Sequence, residues 1–147
     1  MERTISSPRP SPAFSPAVRR FLDAPGRFAV VATIDPDGTP HQAVVWYLAT
    51  DEALVLNSRA GRRWPTNLRR DPRVSVMVAD AYHWVSLRGK VELVDDQARA
   101  QADIAAMARR YHADDPATAE AEIRRFQHER RVSFVLRPAR VAANLEG

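Results

Sequence analysis

The stretch from Phe28 to Ala49 constrains the fold more than any other part of this sequence. Phe28 to Ile34 is apolar and rich in β-branched residues, Asp35-Pro36-Asp37-Gly38 is a strong turn, and Thr39 to Ala49 is apolar again. That pattern predicts a β-hairpin. Phe28, Val30, Ala32 and Ile34 fall on one face of its first strand, and Ala29, Val31 and Thr33 on the other. Strands apolar on both faces need cover on both. A barrel wall that also carries helices, or a partner subunit, supplies it.

The rest of the chain reads as more of the same architecture. Ser15-Pro16 is a helix start, with a capping hydroxyl and a proline at the first helical position, and Val18, Phe21 and Leu22 follow on one face. Ala53 to Ser58 reads as a third strand, and the segment from Trp64 to Arg70 as one or two helical turns ended by Asp71-Pro72. Val74 to Ala79 and Trp84 to Val94 read as further strands, the latter alternating Val85, Leu87, Gly89, Val91 and Leu93 against polar neighbours. Asp95-Asp96 and Asp115-Pro116 open two helices, and Arg131 to Arg137 is a closing strand. The expectation is a mainly β fold, a split β-barrel of about six antiparallel strands with added helices. Residues 1–14, with Pro8, Pro10 and Pro12 among serines, read as a disordered leader, and 15–147 as one domain. A homodimer is the simplest cover for so many two-sided strands in so short a chain.

Composition narrows the chemistry. There is no cysteine, hence no disulfide, thiolate metal site or cysteine nucleophile. No apolar run reaches the length of a membrane span and no signal-peptide core is visible, so a cytoplasmic protein without a membrane partner is expected. The formal charge is +4, with Lys90 the only lysine among 22 basic residues. Nucleic-acid binding needs basic residues along a face together with a recognisable motif, and neither is found, so no nucleic-acid partner is expected. His41, His83, His112 and His128 show no metal-ligand spacing, and no metal is expected. Hydrolase, nucleotide-loop and dinucleotide motifs are missing as well. Asp35, Asp37, Asp95 and Asp96 stand where carboxylates serve as turn and helix caps.

The sharpest charge feature is local. Arg59, Arg62, Arg63, Arg69, Arg70 and Arg73 face a single acid, Asp71. A strand end, a small-residue loop and a helix N-terminus together offer backbone N–H groups and a positive dipole to an anion, and arginine adds bidentate charge. A phosphate fits there; a solvated helix face of Arg62, Arg63, Arg69 and Arg70 is the competing reading.

Three strings in order, DPDGTPHQAVVWY (35–47), LNSRAGRRWPTNLRRDPRVSVMV (56–78) and WVSLRGKVELVDD (84–96), resemble the pyridoxamine 5′-phosphate oxidase-like family of flavin-binding split barrels. NLRRDPRVS (67–75) is the most specific piece, and the likeness is nearest the branch that uses the deazaflavin F420. The resemblance implies a cofactor groove at a dimer interface. It puts Ser58, Arg62, Arg63 and Asn67 near the phosphate, and Gln42, Ala43, Val44 and Trp46 near the ring, with Arg59 and Trp64 also among the cofactor-binding residues. Tyr82 and Trp84 would approach from the partner subunit; as an ordinary alternative, Trp46 and Trp84 are barrel core. F420-binding relatives commonly carry a lysine and a second arginine where this chain has Trp64 and Thr66. The implied activity is an F420-dependent oxidoreductase passing hydride between reduced deazaflavin and a small organic substrate, with His41, Tyr47 and His83 as candidate proton donors. The alternatives are an FMN-dependent enzyme of the same fold and a non-catalytic flavin- or tetrapyrrole-binding protein.

Overall fold

The computed structural model describes residues 13–146. Ser15, extended, accepts from the Val18 N–H through its hydroxyl and starts helix α1 (Pro16–Asp23), which buries Val18, Phe21 and Leu22. Most of the expected leader, residues 1–12, lies outside the described residues. Phe14, assigned to that leader, packs on the core, and its N–H donates to the Asp51 carbonyl at 2.8 Å.

Strands β1 (Ala29–Ile34) and β2 (Pro40–Val45) form the hairpin, with Ala29 opposite Val45 and Ile34 opposite Pro40. The second apolar run does not continue as one strand. It breaks at Trp46-Tyr47 and resumes as β3 (Leu48–Ala49), which pairs with β4 (Leu54–Arg59). Tyr47 causes the break: it is fully buried, and its hydroxyl donates to the Leu22 carbonyl at 2.7 Å, which turns the chain from one part of the sheet to the other.

Then follow helix α2 (Arg63–Arg70), strands β5 (Arg73–Asp80) and β6 (His83–Val94), helices α3 (Gln97–Tyr111) and α4 (Pro116–Phe126), and strands β7 (Arg131–Leu136) and β8 (Arg140–Asn144). All pairings are antiparallel, in the order β2-β1-β5-β6-β7-β4-β3 with β8 on β6. The eight strands among the described residues exceed the expected six by β3 and by β8, whose residues are all exposed and so carry no burial period.

β6 makes the sheet curl. Its first part pairs with β5 and β8, and from Val91 it pairs with β7. Gly89 sits at the changeover, where an added Cβ would lie 3.1 Å from the Ala139 backbone nitrogen. The alternation read along this strand fails beyond that point, and Leu93, expected inside, is 41% exposed.

One core fills the barrel around Val31, Leu56, Val76, Leu87 and Phe134. A second lies between barrel and helices, where Ile104, Met107, Ile123 and Phe126 pack on Val55 with Trp46 alongside. Asp96 and Asp115 cap α3 and α4 by accepting from the Arg99 and Thr118 N–H groups. β4 and β7 are thereby covered on both faces, apart from Arg59 at the end of β4. The β1–β2 hairpin is covered on one: Phe28 is 48% and Val44 69% exposed. Among the described residues no helix is long and apolar enough to cross a membrane.

Candidate functional site

The C-terminal end of β4 delivers Asn57, Ser58 and Arg59 to a cleft of about 400 Å³ between the β1–β2 hairpin, the start of α2 and the α3–α4 lobe. That volume lies within the range of small-molecule sites. Its hairpin wall is Phe28, Ala43, Val44, Val45 and Trp46. Trp46 is stacked on Tyr111 at 5.0 Å and meets the edges of His112 and Phe126, so its indole is fixed in place. Tyr111 stacks in turn on Phe28 at 5.3 Å.

The opposite end is cationic. After β4 the chain turns through Gly61, whose φ of +96° is the left-handed region that a Cβ disfavours. Arg62 then caps α2 without a side-chain hydrogen bond, which leaves the first-turn N–H groups of Arg63 and Trp64 with no acceptor from the cap. Such a helix start favours an anion.

Of the six arginines in this run, four serve the fold. Arg63 grips Asp35 with Nε and a terminal nitrogen, at 3.0 and 2.5 Å. Arg69 pairs with Asp95, Arg73 with Asp71, and Arg70 donates to Asn67 and the Ile34 carbonyl. Arg59 and Arg62 make no ion pair among the described residues, and both line the cleft. Arg131 and Arg125 join them from β7 and α4, so four arginines line the cleft. Glu122 is the carboxylate in the lining; His112 holds it at 2.7 Å and Arg125 at 3.4 Å.

Of the residues expected around a cofactor, the fold brings Ala43, Val44, Trp46, Ser58, Arg59, Arg62 and Trp64 into one lining. Ser58 donates its hydroxyl to the Arg59 carbonyl, and Trp64 is 5% exposed and tilted against Phe134, so it serves the core as well. Gln42 is exposed on β2, opposite Ala32, outside the lining. Arg63 and Asn67 turn away toward Asp35, where Asn67 also donates to Thr33 at 3.1 Å. Tyr82 is 89% exposed at the β5–β6 turn, and Trp84 lies half-buried between Ala79 and Asn144; neither reaches the cleft within this chain.

The three candidate proton donors also stand elsewhere. Tyr47 is buried against Leu22, and burial pushes its hydroxyl up to about 12. His41 is opposite Thr33 on β2, and His83 lies 3.2 Å from the Glu146 carbonyl, on the far side. Sequence reasoning missed Arg125, Arg131 and Glu122, because nothing local marks a helix or strand residue as facing a cleft formed with distant strands. No cluster of metal-ligating side chains occurs among the described residues.

Comparison with known proteins agrees with this architecture. The family model described as pyridoxamine 5′-phosphate oxidase matches residues 14–144. The conserved hypothetical protein Rv2991 from Mycobacterium tuberculosis shares 26% identity at a TM-score of 0.74, over 94% of this chain and 89% of that one. A structure described as an F420 reductase shares 27% identity at a TM-score of 0.66, over 84% of this chain and 94% of its own. HutZ, the heme storage protein from Vibrio cholerae, has the same fold at 19% identity and a TM-score of 0.66, over 87% and 92% of the two chains. No curated protein matches the sequence. The barrel, its helical lobe and the match along nearly the whole chain make this protein a member of the pyridoxamine 5′-phosphate oxidase family.

Proposed function

We propose that the protein is an F420-dependent oxidoreductase acting on a small organic substrate. The observation that carries this reading is the pairing, in one cleft, of an apolar and aromatic wall from β2 with Arg59 and Arg62 at the open start of α2. Ala43, Val44 and Trp46 would hold a planar ring, and Arg59, Arg62 and the backbone N–H groups its phosphate. The F420 reductase of like fold adds support. When bound, the cofactor supplies hydride transfer; the chain holds, orients and shields it.

The cleft is open at Phe28 and Val44, next to the exposed outer face of the hairpin. A second copy of the chain laid on that face would cover both and bring its Tyr82 and Trp84 within the family's arrangement, so the active form in this reading is a homodimer.

The test is titration of purified protein with F420 and, separately, FMN, followed by cofactor fluorescence. Saturable F420 binding, with reduction of enones, quinones or nitro compounds once reductant is supplied, is the expected outcome. FMN retained through gel filtration in preference to F420 would move the assignment to the flavin enzyme. Tight binding with no turnover on the whole panel would make the protein a cofactor carrier.

A further inference from the structure

Arg125 and Arg131 reach the cleft from α4 and the start of β7, away from the arginine-rich turn, and both guanidiniums sit against the ring of Phe126, at 4.9 and 4.7 Å from its centroid. The two cations therefore share one ring. The Arg131 side chain is 8% exposed, and a polar chain fixes it from behind. Its Nε donates to Asn57 at 3.0 Å, Asn57 donates to Ser133 at 2.9 Å, and Ser133 donates to Asp103 at 2.7 Å. Ion pairing with Glu129 at 2.7 Å holds one terminal nitrogen.

This arrangement is unfavourable without a ligand. Arg59 and Arg131 are direct cross-strand partners on β4 and β7, and like charges in that relation repel. Burial first, and the nearby Arg62 and Arg125 charges after it, push the Arg131 guanidinium down against the pull of Glu129. Glu122 and Glu129 together leave two of the four positive charges in the cleft unbalanced. A phosphate in a diester, with about one negative charge, does not balance both.

We infer that Arg125 and Arg131 form a second anion subsite, which takes the carboxylate-bearing tail of a cofactor whose phosphate lies at Arg59 and Arg62. This rests on the F420 reading above, and it makes α4 and the start of β7 the source of the cations that α2 lacks at Trp64 and Thr66.

The experiment compares wild type, Arg125→Gln and Arg131→Met against three probes: F420, a 5-deazaflavin riboside lacking phosphate and tail, and inorganic pyrophosphate. The subsite predicts that each substitution weakens F420 at least tenfold and leaves the riboside within twofold. It also predicts that pyrophosphate raises the Tm of wild type by more than that of either variant, in which Arg59 and Arg62 still offer an anion site. Arg125 is exposed, so Arg125→Gln decides the matter if Arg131→Met does not fold. Unchanged F420 affinity in Arg125→Gln overturns the subsite, as does a pyrophosphate response undiminished by the substitution, or no response of wild type to either anion. A pyrophosphate response diminished by the substitutions, in a protein that binds neither deazaflavin, would uphold the subsite and remove the cofactor reading instead.

Discussion

Arg63 and Asn67 both donate to Asp35, and these bonds, Arg63's first, draw its carboxyl from 3.8 down to about 2. A carboxylate whose folded value lies below its unfolded one stabilises the fold above the unfolded value, and that contribution is lost as pH falls through the folded one. Asp71, lowered to about 2 mainly by Arg73, adds to the same acid limb. We expect stability to fall between about pH 4 and pH 2, and Asp35→Asn to flatten that limb while lowering the urea midpoint at pH 7. An unchanged acid limb in the variant would refute the assignment. The same contacts separate neighbouring arginines by role. Arg59→Ala and Arg62→Ala are expected to weaken cofactor binding by about 1.5–3 kcal/mol each, the range for hydrogen bonds to charged groups. Arg63→Ala should lower Tm through loss of Asp35's partner and leave affinity nearly unchanged. Calorimetric titration beside thermal melts reads both effects.

Among the elements, β6 carries the most topological information and Gly89 is its tightest point. An alanine methyl there meets the Ala139 nitrogen, which is itself fixed by donating to the Arg88 carbonyl at 2.9 Å. Overpacking of this kind costs about 1–3 kcal/mol, and Gly89→Ala should lower the denaturant midpoint accordingly; an unshifted midpoint would mean that the β7–β8 bend yields. Elements with strong local signals were legible beforehand: the Ser15-Pro16 helix start, the turn at Asp35 to Gly38, and the Asp96 and Asp115 caps need only neighbours in sequence. The break at Tyr47 was not, because it depends on the Leu22 carbonyl. The change of partners along β6 was not legible either, since periodicity reports which side is buried and not against what. The cleft divides the same way. Its β2 wall and the Arg59–Arg62 turn are contiguous in sequence, whereas Arg125 and Arg131 become cleft residues only when α4 and β7 fold onto β4.

At the scale of the whole molecule, the outer face of the hairpin and the adjoining β5 leaves Val44, Phe28 and Met77 exposed. If a second copy covers it, native mass spectrometry should give twice 16.5 kDa, and Val44→Lys should give the single-chain mass together with weaker cofactor retention. A wild-type monomer would send Tyr82 and Trp84 out of the site altogether. Finally, the end of α3 is tied to the barrel at several points: Arg110 donates to the Leu22 and Ala24 carbonyls, and the Tyr111 hydroxyl donates to the Arg27 carbonyl at 2.7 Å while accepting from the Tyr47 N–H. A lobe anchored in this way is expected to stay in place when ligand binds. Ligand capture should then be a single bimolecular step, with stopped-flow traces of one exponential and an observed rate that rises linearly with concentration, without the plateau that a slow closure imposes.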